Sequence, residues 1–453
     1  MNKWFNESII YHIYPLGFCG APKYNDFKSS PTPLIENVLK WTEHIKKLGA
    51  DTIYFGPIFE STSHGYDTAD YYNVDRRLGS NDTFKKVSLS LHKSGFKIIL
   101  DGVFNHVGRD FWAFKDVLKN NQSSDYCNWF CNLRFGEKSS YGDPFNYDTW
   151  NGCYNLVKLN LKNNDVKNHI FGAVKKWIEE FDIDGLRLDA ADNIDLDFLK
   201  ELSHFCKSIK KDFFLVGEVI FGDYNRLANK DALDSVTNYE CYKGLYSSLN
   251  SKNYFEIAYS LNRQFNKDSG IYKNIPLYSF VDNHDVNRIG STLINPEHLY
   301  NIYTLLFTMP GIPSIYYGSE WAIEGKKDNS DYALRPKIDL DNISKNSTHK
   351  DLPDFISKLA HIRSDSNALK YGIYEQIFIK SEQFGFIRKT DDESIITVLN
   401  ASPDEFSIDL DVPESCSKLV DLLNSNESFD ASNTKCRINI KPYGERIFKV
   451  INI

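Results

Sequence analysis

Asp184-Gly185-Leu186-Arg187-Leu188-Asp189-Ala190 is a short apolar run that ends on a carboxylate. Side chains alternate along an extended strand, so Arg187 and Asp189 share one face while Leu186 and Leu188 share the other. That reads as a barrel strand presenting its polar groups at its C-terminal end. A guanidinium fixed beside a carboxylate keeps it ionised and aimed, which is what a nucleophilic aspartate needs. Taken alone, the pair is more at home as a structural ion pair closing a strand.

Outward from this stretch, about 370 residues alternate apolar, β-branched runs with amphipathic helices, the pattern of parallel βα units. Strands are expected at Ser8–Tyr14, Thr52–Phe55, Phe96–Asp101, Asp184–Ala190, Phe213–Glu218, Asp234–Thr237, Pro276–Val281 and Pro313–Tyr317. A helix from Glu36 to Leu48 stops at Gly49; the next takes Asn81 and Asp82 as caps and ends at Gly95; further helices cover Asp165–Glu180 and Leu196–Ile209. Eight such units predict an α/β fold, a closed (β/α)8 barrel, over residues 1–106 and 161–370. Between them, 107–160 loses periodicity and reads as a small inserted domain, where Trp129, Phe130 and Trp150 either pack its core, the favoured reading, or line subsites. From 371 to 453 short alternating strands separated by Asn, Asp, Ser and Pro turns predict a C-terminal antiparallel β-sandwich.

A chain of 453 residues suits this multi-domain plan. The net charge of −8 argues against a phosphate-binding surface, and so against nucleic acid. The longest apolar stretch, 302–317, is broken by Pro310, Gly311 and Pro313 and is too short to span a bilayer. The N-terminus lacks a basic start, apolar block and cleavage site, so a cytoplasmic location is expected. The cysteines show no secreted-scaffold spacing and read as reduced thiols; Cys127, Cys131 and Cys153 lack a fourth ligand in an obvious motif.

Polar residues at the C-terminal ends of barrel strands form active sites. The third strand delivers Asp101, Asn105 and His106, the fourth Arg187 and Asp189, the fifth Glu218, and the seventh Asp282, His284 and Asp285. The loop after the second carries His64, Tyr66 and Asp67. Carboxylates from separate strands converging on one cavity are costly to bury without a function. With no phosphate loop and no Cys/His ligand cluster, they point to acid/base and nucleophilic work on a neutral substrate, the equipment of glycoside hydrolysis. Asp189, beside Arg187, is expected to stay ionised, and Glu218, with no cation next to it in sequence, to hold a proton longer.

Four blocks, Asp101-Gly102-Val103-Phe104-Asn105-His106, Gly185-Leu186-Arg187-Leu188-Asp189-Ala190, Gly217-Glu218-Val219 and Phe280-Val281-Asp282-Asn283-His284-Asp285, resemble in order the signature regions of the α-amylase family of glycoside hydrolases. His64 to Tyr71, Pro310-Gly311-Ile312-Pro313 with Tyr316-Tyr317-Gly318, and Asp331 with Arg335 extend the resemblance. Val157-Lys158-Leu159-Asn160, Ala191 to Asp195 and Val107 to Asp110 are similar to its cyclomaltodextrinase, neopullulanase and maltogenic amylase branch. The resemblance implies a retaining hydrolase of α-1,4 bonds in maltooligosaccharides or cyclodextrins. Asp189 would be nucleophile, Glu218 acid and base, and Asp285 the support of the distorted sugar. His106 and His284 would bind that sugar, Arg187 would orient Asp189, Tyr66 would stack beneath the ring, and Asp67, Asp331 and Arg335 complete the binding set.

The resemblance also implies a calcium site, for which Asn105 is retained as a candidate ligand. Asn193 stands where many relatives carry a histidine, and no cofactor is required by the chemistry. The branch's N-terminal domain, used for dimerisation, is missing before the first strand, which favours a monomer. An α-glucanotransferase with the same residues is the nearest rival; an inactive carbohydrate-binding barrel is the rival of another class.

Overall fold

The computed structural model describes residues 3–328 and 330–452; Met1 and Asn2 of the N-terminal reading lie outside them. Eight parallel strands form one sheet: β1 (Ile10–Ile13), β2 (Thr52–Phe55), β3 (Lys97–Gly102), β4 (Gly185–Leu188), β5 (Phe214–Gly217), β6 (Ser235–Val236), β7 (Tyr278–Phe280) and β8 (Ile312–Tyr316). They pair in the order β6-β5-β4-β3-β2-β1-β8-β7. A parallel bridge from Thr237 to Tyr278 brings the two edges together, so the sheet closes on itself. Strand β4 is buried along its whole length, as expected of parallel strands covered on both faces. Leu186 and Leu188 pack with the surrounding helices, whereas inward positions of other strands, among them Phe214, Val216, Phe280 and Ile312, fill the barrel.

The helix expected at Glu36–Leu48 is instead a 3-10 segment, Leu34–Trp41, running into an α-helix at Thr42–Lys47, ended by Gly49 at φ +83°. The next helix, Asn81–Lys93, is capped by Ser80 rather than by Asn81 or Asp82. Ser80 and Thr83 form a reciprocal capping box, while Asn81 is used up tying down Tyr72 O and Val74 N. The helices at Asn164–Phe181 and Leu196–Ile209 lie where the apolar spacing puts them.

The segment between β3 and the Asn164 helix carries its own small sheet. His106–Gly108 pairs antiparallel with Cys153–Lys158, which pairs with Thr149–Trp150. His106 therefore belongs to both the barrel mouth and the insert. Trp129 and Phe130 are buried against Phe111, Trp112 and Phe114. Trp150 departs from the expectation for all three: it leaves the packed cluster and turns its ring towards His106, centroids 5.7 Å apart.

After the barrel come β9 (Ile373–Ile379), β10 (Gln383–Lys389), β11 (Ser394–Asn400), β12 (Phe406–Asp411), β13 (Cys416–Asp421), β14 (Ser428–Asp430), β15 (Lys435–Ile440) and β16 (Glu445–Asn452). They make a six-stranded antiparallel sheet, order β9-β10-β11-β16-β13-β14, and a β12-β15 pair. Ile396, Val398 and Phe448 of the first sheet pack with Leu410 and Ile438 of the second, a sandwich core.

Candidate active site

Strands β3, β4 and β5 lie side by side, and the register puts Asp101 opposite Arg187 and Arg187 opposite Val216. Arg187 is therefore flanked by carboxylates from both neighbours. Its Nη1 lies 2.9 Å from Asp101 Oδ1 and 3.0 Å from Asp189 Oδ1, and its Nη2 lies 2.9 Å from Glu218 Oε1. Glu218 has no cation next to it in sequence; the neighbouring strand supplies one. Glu218 Oε2 also accepts the N–H of Ala190 at 3.0 Å. Ala190 holds φ +44°, the left-handed region, which swings that N–H towards β5.

One guanidinium faces three carboxylates here, so they cannot all ionise cheaply. Burial first, and Glu218 second, push Asp189 well above the usual carboxylate range, against the pull of Arg187. Burial also raises Glu218, with Arg187 opposing and Asp285 adding to it. Burial thus outweighs the pull of Arg187 on Asp189. The ionisation of each carboxyl opposes that of the other.

Asp285 is the contrast. Burial works to raise it, but His284 and Arg335, with Arg187 behind them, outweigh burial and hold it well below the usual range. His284 Nε2 lies 2.9 Å from Asp285 Oδ2 and Arg335 Nη2 lies 2.8 Å from Oδ1. Arg335 also reaches Asp331 at 3.1 Å and donates from Nε to His284 O at 2.9 Å. The Tyr66 hydroxyl bridges Asp101, at 3.1 Å, and His284 Nε2. Its ring stacks on that of His284 at 5.5 Å. His106 Nε2 is 3.8 Å from Asp189 Oδ2, and burial lowers this imidazole to about 3. It is a neutral group at any working pH.

These residues surround a cavity of about 980 Å³. Asp189, Glu218, Asp285, Tyr66, His106, Asp331 and Arg335 line it; Arg187, His284 and Asp67 do not. Arg187 and His284 sit one layer behind, as positioning residues. Asp67 is the larger departure: its carboxylate is taken by Ser63 Oγ at 2.6 Å and His64 N at 3.1 Å, so it shapes its own loop. Asp282 likewise turns away, accepting from Ile289 N and Ser319 Oγ. Tyr14 and Tyr239 line the cavity without having been picked out as binding residues, and Trp150, for which packing was favoured over a subsite, lines it too. Tyr239 follows β6 and carries no motif; only its position in space reveals it.

Calcium prefers six to eight oxygen ligands, carboxylates among them. Asn105 Oδ1 is buried without a hydrogen-bond partner. Yet no group of three or more His, Cys, Asp or Glu side chains is placed to hold a metal among the described residues. The Cys127 and Cys131 thiols donate to Asn121 O and Leu159 O.

Residues 35–367 match the family described as alpha amylase, catalytic domain. The chain belongs to the α-amylase family. Residues 376–447 match the C-terminal domain of maltogenic amylases. Among relatives in this family, a cyclomaltodextrinase from Bacillus sp. is 30% identical, covering 88% of this chain and 73% of its own length. The intracellular maltogenic amylase of Bacillus subtilis is 27% identical, covering 88% of this chain and 69% of its own length. The solved cyclic alpha-maltosyl-(1→6)-maltose hydrolase of Arthrobacter globiformis superposes with a TM-score of 0.83 at 25% identity, covering 99% of this chain and all of that one. Like its relatives, this family member is a glycoside hydrolase acting on α-glucans. Among the described residues no helix is long and apolar enough to cross a membrane.

Proposed function

We propose that the chain hydrolyses α-1,4-glucosidic bonds of maltooligosaccharides or cyclodextrins with retention of configuration. The observation that carries this reading is the sharing of the Arg187 guanidinium by Asp189 and Glu218. Retaining glycosidases hold their two carboxyls about 5–5.5 Å apart, inverting ones about 6.5–9.5 Å. Bonding of both carboxyls to one guanidinium keeps them near each other, and with the resemblance to a retaining family this supports the closer class.

In the first step a carboxylate oxygen of Asp189 attacks the anomeric carbon. The bond to the leaving oxygen breaks, and Glu218 donates its proton to that oxygen. In the second, Glu218 takes a proton from water, the water oxygen attacks the same carbon, and the Asp189 carboxylate is released. The upward push of burial on Glu218 suits the proton donor of this cycle. Asp285, held ionised, takes hydroxyls of the reacting sugar; Tyr66 and His106 bound that sugar, and Asp331 with Arg335 extend the binding set. Each step uses only carboxyls and water, so no cofactor is called for. The named relatives support the substrate class, and the B. subtilis enzyme's name supports action inside the cell.

Asp189→Asn and Glu218→Gln should each abolish reducing-sugar release from maltotriose while the folded spectrum persists. A slow fluoro-sugar substrate should label Asp189 and no other residue. Products longer than maltotriose would instead mark glucanotransfer, and unchanged turnover in either variant would overturn the roles.

A further inference from the structure

A second concavity, of about 1480 Å³, adjoins the catalytic cavity, and Ile220 and Tyr239 line both. Its floor is the helix Tyr239–Asn250. Tyr239, Tyr242 and Tyr246 recur there at helical spacing, so they share one face. Their rings run in series, centroids 6.0 Å and then 5.1 Å apart. The first borders the catalytic carboxyls: Glu218 and Asp285 act on its hydroxyl, and Asn283 donates to it at 3.1 Å. The last stands in the outer groove.

The opposite walls carry two large apolar side chains held in solvent, Phe221 at 83% exposure and Tyr259 at 70%. Isolated exposed hydrophobics are ordinary; a set facing one groove marks a binding surface. Between the rings lie polar groups already paired with one another: Arg263 with Glu240, and Ser247 and Ser251 with Glu256. A surface of aromatic faces among satisfied polar groups suits a neutral ligand with apolar faces and a hydroxyl rim. Among its described lining residues the cations are Lys243 and the paired Arg263, so an anion meets no cation cluster there.

The direction of the groove identifies the occupant. Glu218 protonates the oxygen of the departing sugar, so that sugar lies on the Glu218 side, whereas the sugar gripped by Asp285 and Arg335 lies on the other. Ile220 is two residues past Glu218 and opens the groove. We propose that this groove is a second glucan-binding site, which takes the leaving-group arm of a longer α-1,4-glucan along the tyrosine face of the Tyr239–Asn250 helix. The proposal rests on the hydrolase reading above.

The test compares Phe221→Ala, Tyr259→Ala and Tyr246→Ala on maltotriose and maltoheptaose. The first two change exposed side chains, so folding is not at stake. Loss of an aromatic contact predicts a fall of about tenfold in kcat/KM for maltoheptaose, with maltotriose unchanged. The same substitutions in an Asp189→Asn background should weaken maltoheptaose binding by a similar factor in calorimetry and leave maltose binding alone. The binding arm does not depend on turnover. A chain inactive on every glucan would sink the hydrolase reading, whereas equal maltoheptaose binding with and without the three rings would overturn the groove. If the substitutions leave glucan affinity intact but convert a dimer to a monomer in sedimentation, the surface belongs to a second copy of this chain and the proposal fails.

Discussion

Asp101 and Arg187 form a fully buried ion pair, with Arg187 Nη1 2.9 Å and 3.1 Å from the two oxygens of Asp101. The guanidinium that meets Asp189 and Glu218 is thus held from behind by a carboxylate that touches no substrate. Tyr54 and Tyr66 donate to the same carboxylate, at 2.8 Å and 3.1 Å, which completes the partners a buried charge requires.

Removing that anchor is expected to cost both stability and rate. Asp101→Ala leaves a buried guanidinium short of a partner, worth about 3–5 kcal/mol. The urea midpoint should fall and kcat should drop with it, because Arg187 no longer holds Asp189 and Glu218 in place. A wild-type midpoint for this variant would contradict the anchoring role.

Asp189→Asn is expected to raise stability as it destroys activity. The folded-state pKa of Asp189 lies above its ordinary value. The folded chain therefore binds that proton more tightly than the unfolded one. The corresponding stability is complete below the ordinary carboxylate value of about 3.9 and is lost as pH rises through the folded value. Asparagine cannot ionise, so the variant's melting temperature should exceed wild type by more at pH 8 than at pH 4. Turnover of maltotriose should fall at least about a thousandfold. Thermal scans at the two pH values, with reducing-sugar assays, check both.

Tyr66→Phe separates the ring from its hydroxyl. The hydroxyl joins Asp101 to His284, and a hydrogen bond to a charged group is worth about 1.5–3 kcal/mol. A fall in kcat of roughly ten- to a hundredfold is expected with KM little changed, since the ring that lines the cavity remains. Tyr66→Ala should raise KM as well. Steady-state kinetics on maltotriose distinguish the two; equal KM values for both variants would count against a binding role for the ring.

Glu445, at the start of β16, reports on the seam between barrel and sandwich. Burial, then Asp421, push its carboxyl up to about 8, against a hydrogen bond from Asn301. The folded value lies above the ordinary 4.5, so this contribution to stability is complete below that pH and is lost as pH rises through about 8. Glu445→Gln should match wild type in thermal scans at pH 4 and outlast it at pH 9. Identical pH dependence of the two proteins would show that Glu445 titrates normally.

The strands and long helices were legible because their signals are local. The β-branched run Thr52–Phe55 and the apolar spacing of Leu196–Ile209 specify period and extent with no knowledge of neighbours. The catalytic candidates were legible for a related reason: in a parallel barrel every C-terminal strand end faces one mouth, so Asp189, Glu218 and Asp285 converge whatever the loops do. Local signals failed where two residues competed for one job. Ser80 took the cap that Asn81 could have made, because the Asn81 side chain is bonded to Tyr72 and Val74.

The sequence by itself determined the eight βα units, the order of the motifs and the residue types available at the barrel mouth. Only the tertiary structure decided how those residues divide the work. Arg187 serves Asp101 and Glu218, 86 and 31 positions away, because β3, β4 and β5 are adjacent and in register. Asp67 turns into its own loop and Trp150 turns out of its domain's core, since each side chain goes where its hydrogen bonds or its ring contacts are satisfied. Strand period is written along the chain; partnership across strands is settled only when the sheet closes.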